Sequence, residues 1–338
     1  MIEHFNYSLL PHNTFHIEAR CRRYVEYDSE DELRKILPSL THERFLHIGG
    51  GSNLLFLQDF PGTILHSAIR SVDIVKSEGD DVWVRAGAGI EWDQFVEYCI
   101  QHGLYGLENL SLIPGEVGAS AVQNIGAYGV EAADLLTLVE TIDVTTGEIE
   151  SMRAEECQYG YRTSIFKTIL RGKHFVTRVT YKLSRRFTPR LGYAALRREL
   201  EARGLSEDVL TAADLRRVII DVRREKLPEP SETGSAGSFF VNPVVNREHF
   251  ERLLAAYPEM PHYLLPDGSV KIPAGWLIQQ AGWRGRQFGR AGVWPKQALV
   301  LTNLGGATGK DILALSDAIC TDVEKAFGIV LQPEVNFI

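Results

Sequence analysis

The stretch Ile113–Gly129, IPGEVGASAVQNIGAYG, decides how the rest of the chain is read. Four of its seventeen residues are Gly, three are Ala, and Glu116 carries its only formal charge. Residues this small fill a core poorly, yet the run is too apolar for a solvated linker. Small side chains let a backbone come close to another surface, and Gly allows φ > 0 on the way. Successive N–H groups in such a segment make a cradle for an anion, usually a phosphate. The first expectation is a nucleotide or dinucleotide cofactor.

A second Gly-rich turn, GGGSN at 49–53, lies upstream, after the short apolar strand Phe45–Ile48. Alone it reads as a tight turn. The two loops together suit a diphosphate gripped from two sides. Two common nucleotide motifs fail. Gly49 and Gly51 begin a Gly-x-Gly-x-x-Gly pattern, but its last position is Leu54, which disfavours a Rossmann turn. Gly305–Asp311, GGATGKD, is one residue short of a P-loop, and Asp311 stands where Ser or Thr should hold Mg²⁺. It reads as a loop before a helix.

Around these loops strand and helix signals mix. Arg23–Tyr27 has strand character, and Ser29 with Glu32 forms a capping-box pattern for a helix ending near Pro38. Val72–Ile74 and Val82–Arg85 alternate like paired strands. Trp92, Phe95, Val96, Cys99 and Ile100 recur at helical spacing. Leu138–Val144 and Ile149–Met152, joined by Thr146-Gly147, read as a hairpin, and His174–Leu183 as another strand. Ser184–Asp214 changes to an Arg, Glu and Leu composition and marks a boundary. Helices are expected at Asp214–Arg224, Asn246–Tyr257, Gly275–Gln280 and Lys310–Phe327, and strands at Ala298–Thr302 and Ile329–Ile338. Glu229–Gly237 reads as a polar loop. The class is α+β.

Bulk properties exclude several functions. At 338 residues two or three domains are expected. The net charge of −8, with no basic run, argues against nucleic acid. No signal peptide opens the chain and no window suits a membrane span. The scattered Cys21, Cys99, Cys157 and Cys320 read as reduced thiols, which points to the cytoplasm. His12 and His16 read as a surface pair, and no Cys/His set suits a metal. A Gly-x-Ser-x-Gly elbow is absent. Ser238, in GSFFVNP at 237–243, is a turn serine or a hydroxyl projected from a rigid strand edge. Arg162 and Glu334 are ordinary on their own.

Taken in order, a set of segments resembles the bacterial UDP-N-acetylenolpyruvoylglucosamine reductases, flavoenzymes of peptidoglycan precursor synthesis. They are NTF at 13–15, GGGSNLL at 49–55, GLENLSLIPGEVGASAVQNIGAYG at 106–129 and GYRTSIFK at 160–167. The set continues with KLPEP at 226–230, GSFFVNP, DGSVKIPAGWLI at 267–278, QALVL at 297–301 and PEVNFI at 333–338. The resemblance spans nearly the whole chain. It implies a two-subdomain FAD-binding module of the vanillyl-alcohol-oxidase type, at 1–68 and 69–212, followed by a substrate-binding α+β domain at 213–338. The insertion bearing Tyr193 is similar to the Tyr loop of the family's longer class.

The resemblance also implies roles. FAD would be bound by Ile48, Gly49, Gly50, Gly51, Ser52, Asn53 and Leu54, and by Pro114, Gly115, Val117, Gly118, Ala119, Ser120, Asn124, Gly126 and Ala127. NADPH is the implied reductant, and an enolpyruvyl ether of UDP-N-acetylglucosamine the substrate. Hydride arriving at the terminal enolpyruvyl carbon builds negative charge that spreads into the carboxylate. Pre-positioned cations or donors must stabilise it. Arg162 matches the cation, Ser238 the general acid, and Glu334 a donor or an orienting group whose pKa burial beside an anion would raise. Tyr161, Tyr193, Lys226, Asn242 and Gln297 match substrate or diphosphate contacts. Two departures stand out: Val241 where relatives often carry Lys, and His16 where Gly is common. A monomer is expected. The competing expectations are another flavoenzyme, such as an oxidase, and a sugar-nucleotide-binding protein without flavin.

Overall fold

Alternation on two strands builds the sheet beneath the Gly-rich stretch. Val82, Val84 and Ala86 are buried at every second position and pair antiparallel with Leu183, Tyr181 and Val179. The computed structural model describes all of residues 1–338. The chain divides into two units. The first holds Met1–Tyr7, Cys21–Gly50 and Pro61–Arg223, and the second Ser8–Arg20, Gly51–Phe60 and Arg224–Ile338. No helix is long and apolar enough to cross a membrane.

The first unit contains two sheets. One runs Ile2–Ser8, Arg20–Tyr27, Phe60–Ser67, Phe45–Ile48 in spatial order, with the last two strands parallel. The other is antiparallel, in the order Ile149–Arg153, Leu136–Asp143, His174–Ser184, Asp81–Gly87, Val72–Glu78. The expected pairings at 72–85 and 138–152 are present. The Trp92–Gln101 helix buries Trp92, Phe95, Val96 and Cys99 as its spacing predicts, and Trp92 and Phe95 pack on Tyr181. Ser29 accepts from the Glu32 N–H and opens the Glu30–Leu40 helix, which carries Pro38 inside its last turn. Pro38 is tolerated because only the Arg34 carbonyl loses a partner there, while Ser39 and Thr41 hydroxyls bond the Ile36 and Pro38 carbonyls.

The Gly-rich stretch is partly helical. Val117–Gln123 is an α-helix ended by Asn124 at φ 46°. Small residues serve its packing: a Cβ on Gly118 would lie 2.8 Å from the Ala88 Cβ. The insertion forms the helices Ala194–Ala202 and Ala212–Lys226, whose Leu196, Leu200, Leu215, Val218 and Ile219 close a small core with Tyr128.

The second unit carries a sheet in the order Gly234–Ser238, Val300–Asn303, Ala291–Val293, Gln287–Phe288. Its long helix, Gly309–Phe327, buries Ile312, Leu315, Ile319, Val323 and Phe327 on one face. Asp311 belongs to that helix's capping box with Thr308, which accounts for GGATGKD without a phosphate. Two expectations are corrected. Gly234–Ser238 is a strand, although GSAGS has little strand propensity, because it pairs with Val300–Asn303. The closing strand shrinks to Asn336–Phe337, with Pro333 left in an isolated bridge to Phe240.

Asn13 closes a loop in this unit by donating to the Leu9 and Ile17 carbonyls and accepting from the Ile17 N–H. The turn leaves His16, half-buried rather than on the open surface, at φ 54°. This backbone accounts for a Gly being common there. His16→Gly is expected to stabilise the protein by about 0.5–1 kcal/mol by relieving the left-handed conformation. A lowered melting temperature would show that the imidazole's contacts outweigh that strain.

Candidate active site

In the first unit the two Gly-rich loops meet. A Cβ on Gly50 would lie 3.6 Å from the Gly115 Cα, and one on Gly49 would lie 3.1 Å from Glu116 Oε2 and 3.5 Å from the Ala119 Cβ. Gly49, Gly50, Pro114, Gly115, Ala119, Gly126 and Ala127 keep some exposure, so they offer backbone with little side chain in the way. That strip fits a flat, phosphate-bearing group such as FAD.

Other expected contacts face inward. The Val117 and Gly118 N–H groups donate to the Ile90 and Ala88 carbonyls, at 2.9 Å each, so they are not phosphate donors. The Ser120 hydroxyl is buried, donating to the Val117 carbonyl at 2.7 Å and lying 2.6 Å from Tyr181 Oη. Ile48 is buried at a strand end. Asn124 is buried too, donating to Glu131 and to the Gly160 carbonyl and accepting from the Ala133 N–H.

Arg162 grips the same stretch from outside. Its Nη2 donates to the Gly126 carbonyl at 2.7 Å and its Nη1 to the Asn124 carbonyl at 3.3 Å. Its backbone is at φ 56°, its carbonyl accepts from Lys167 Nζ, and its guanidinium lies 5.6 Å from the ring centre of Tyr161, which is exposed. The cation is therefore aimed by the loop that carries Gly126. Tyr193, also exposed, packs edge-on against Tyr128 at 5.6 Å. Asn109 ties its segment down by donating to both the Tyr128 and Arg190 carbonyls. Sequence reasoning missed Arg223, whose Nε donates to the Leu112 carbonyl. Burial disfavours its charged form, and neighbouring Tyr128 and Asp93 oppose that effect. Its only sequence signal was a cation in an amphipathic helix.

In the second unit, Gly51, Ser52, Asn53 and Leu54 continue the first loop. Ser238 ends its strand after a register shift between Ser235 and Ser238, where Gly237 adopts φ 67°. This bulge leaves Ser238 exposed beside the buried Phe239 and Phe240. The Glu334 N–H donates to the Phe239 carbonyl at 2.8 Å, and Phe240 bridges Pro333. Ser238 and Glu334 are thus held on adjacent segments. Asn53 Nδ2 donates to the Glu334 carbonyl at 3.2 Å, and Asn336 donates to the Asn53 carbonyl. Asn242 accepts from the Ala274 N–H and opens the Ala274–Gln280 helix. Gln297 Oε1 accepts from the Leu299 N–H. Lys226 is exposed, and its carbonyl accepts from Trp294 Nε1.

Residues 21–153 match the FAD binding domain, and residues 229–338 match the C-terminal domain of UDP-N-acetylenolpyruvoylglucosamine reductase. The reductase of that name from Bacteroides fragilis strain YCH46 is 55% identical over 334 residues, covering 98% of this chain and 99% of its own. The chain belongs to the UDP-N-acetylenolpyruvoylglucosamine reductase family. A Burkholderia multivorans reductase of the same name is 46% identical, covering 97% and 95% of the two chains. The crystal structure of a Thermus caldophilus UDP-N-acetylenolpyruvylglucosamine reductase shares the fold, with a TM-score of 0.68, 24% identity, and 99% and 98% of the chains covered. As a member of this reductase family the protein is an FAD-dependent oxidoreductase, built from an FAD-binding module and a C-terminal family domain.

Proposed function

We propose that the protein reduces the enolpyruvyl ether of UDP-N-acetylglucosamine to UDP-N-acetylmuramate with NADPH, in the cytoplasm, for peptidoglycan synthesis and hence cell shape and division. The observation that carries this reading is the pairing of the 238–240 segment with 333–334, which sets a hydroxyl and a carboxylate on neighbouring segments. An oxidase has no need of such a proton-delivering pair. Bound FAD would take hydride from NADPH and supply it to the terminal enolpyruvyl carbon. Ser238 delivers the proton to the neighbouring carbon. Glu334 orients or donates beside it. Arg162, already held by two loop carbonyls, presents its planar fork to the carboxylate, where charge builds. Lys226, Asn242, Gln297, Tyr161 and Tyr193 bind the sugar nucleotide, with Lys226 on phosphate.

We further propose that residues 1–68 and 69–212 act as the two FAD subdomains, that 213–338 binds substrate, and that the protein works as a monomer. The flavin arm is tested by colour: protein incubated with FAD, then freed of unbound flavin, that keeps no visible flavin absorbance would sink both flavoenzyme readings. Tyr193→Phe, which keeps the ring on Tyr128 and removes the hydroxyl, is expected to raise KM for the sugar nucleotide roughly tenfold. An effect on the NADPH half-reaction instead would misplace the loop.

A further inference from the structure

His66 is buried beneath the point where the two Gly-rich loops touch. It lies in the Phe60–Ser67 strand, in register with Ile48, the residue before Gly49. Its Nδ1 is 2.9 Å from Glu26 Oε2 and its Nε2 is 2.8 Å from Glu116 Oε1. A carboxylate accepts only, so a ring satisfying both at once must carry two N–H groups and a positive charge. Glu116 is the residue before the Val117–Gln123 helix, and its side chain makes no helix-capping bond. It turns instead to His66, with its Oε2 against Gly49. None of these three residues has a part in the reaction described above.

We propose that protonated His66 is a positioning residue for FAD, locking the 49–50 loop to the 115–117 loop through Glu116 and neutralising that carboxylate where a diphosphate is to sit. The inference rests on the flavin reading of these loops. Without the imidazolium, an anion stands at the phosphate cradle and two carboxylates lose their shared partner.

The proton balance follows from the neighbours. Burial by itself pushes the His66 pKa down, but the hydrogen bonds and charges of Glu116 and then Glu26 outweigh it, and the net direction is up. A raised pKa means that FAD retention is complete below the ordinary histidine value of about 6.5 and is lost as pH rises through the folded-state value. Other groups facing the cluster do not supply this change. Tyr24 and Tyr27 are raised by burial above the usual tyrosine range, and burial pushes His47 down to about 3. Glu91, bridged to Glu116 and raised by burial and then by Asp93 and Glu116, is the remaining group and needs its own control.

The test is release of FAD from diluted holoenzyme, followed by flavin fluorescence between about pH 6 and pH 9, a window bracketing histidine titration. The natural chain is expected to lose affinity roughly tenfold across that range. His66→Gln should bind as weakly at low pH as the natural chain does at high pH, with a flat profile. Glu116→Gln, which keeps an acceptor for His66 and removes the charge, should retain FAD at every pH. Adding Glu116→Gln to His66→Gln should restore affinity, and Glu91→Gln should leave the natural profile unchanged. A merely structural His66 would lower the melting temperature and leave the pH slope in place. If His66→Gln does not fold, Glu116→Gln decides alone: a natural-type slope in that variant overturns the proposal. So does a natural chain that holds FAD equally at all pH values. A natural chain that binds no FAD at any pH refutes the flavin reading itself, a different and distinguishable failure.

Discussion

Ser238→Ala is expected to leave bleaching of the flavin absorbance by NADPH intact, while its return on adding the enolpyruvyl sugar nucleotide slows roughly 10²–10⁴-fold, the usual worth of a placed general acid. The expectation follows from how the serine is held. Phe239 and Phe240 are fully buried and anchor the strand end, and the bulge at Gly237 turns the next side chain outward. Removing one exposed oxygen there disturbs no packing, so the loss falls on proton delivery. Stopped-flow traces separate the two half-reactions. Reoxidation at the natural rate in the alanine variant would take the proton-donor role away from Ser238 and leave Glu334 as its holder.

Gly51→Ala is expected to cost on the order of 3–5 kcal/mol, combining a left-handed alanine with backbone overlap. Gly51 is at φ 66°, and a Cβ there would lie 1.9 Å from the His12 carbonyl oxygen and 2.6 Å from its carbon. No rotamer change can relieve a clash with backbone. The same loop carries Asn53, whose amide holds the Glu334 carbonyl, so a displaced turn also loosens the carboxylate. Gly79 is the control, since it has φ 58° and nothing within 4 Å of a built Cβ. Gly79→Ala pays the conformational term alone, about 1–2 kcal/mol. Thermal melts of the two variants measure the difference. Equal melting temperatures would mean that the 12–13 segment yields, and that the close approach is not required.

The frame of the fold was readable where one local signal dominated. The Trp92–Gln101 helix, the capped helix after Ser29 and the paired strands at 72–87 follow from periodicity and caps. Elements made by tertiary contact were not readable. Val117–Gln123 hides as a helix because Gly118 lowers local propensity in exchange for lying against Ala88. Gly234–Ser238 becomes a strand only through its partner at 300–303. The site divides in the same way. Ser238 could be read as a turn serine or a projected hydroxyl, Arg162 was ordinary on its own, and resemblance gave both their roles. Nothing in the spacing of Glu26, His66 and Glu116 could announce a triad assembled from three distant segments. The expected phosphate cradle was also too generous: two of its N–H groups are spent on the 88–90 backbone, and the bare strip at Gly49, Gly50 and Gly115 remains.

The most direct test of the whole account is oxidation of NADPH by purified, FAD-loaded protein, with and without the enolpyruvyl ether of UDP-N-acetylglucosamine. The account predicts slow oxidation without it, rapid stoichiometric oxidation with it, and UDP-N-acetylmuramate as the product. NADPH consumption that ignores the sugar nucleotide, or that leaves its enolpyruvyl group unreduced, would contradict it.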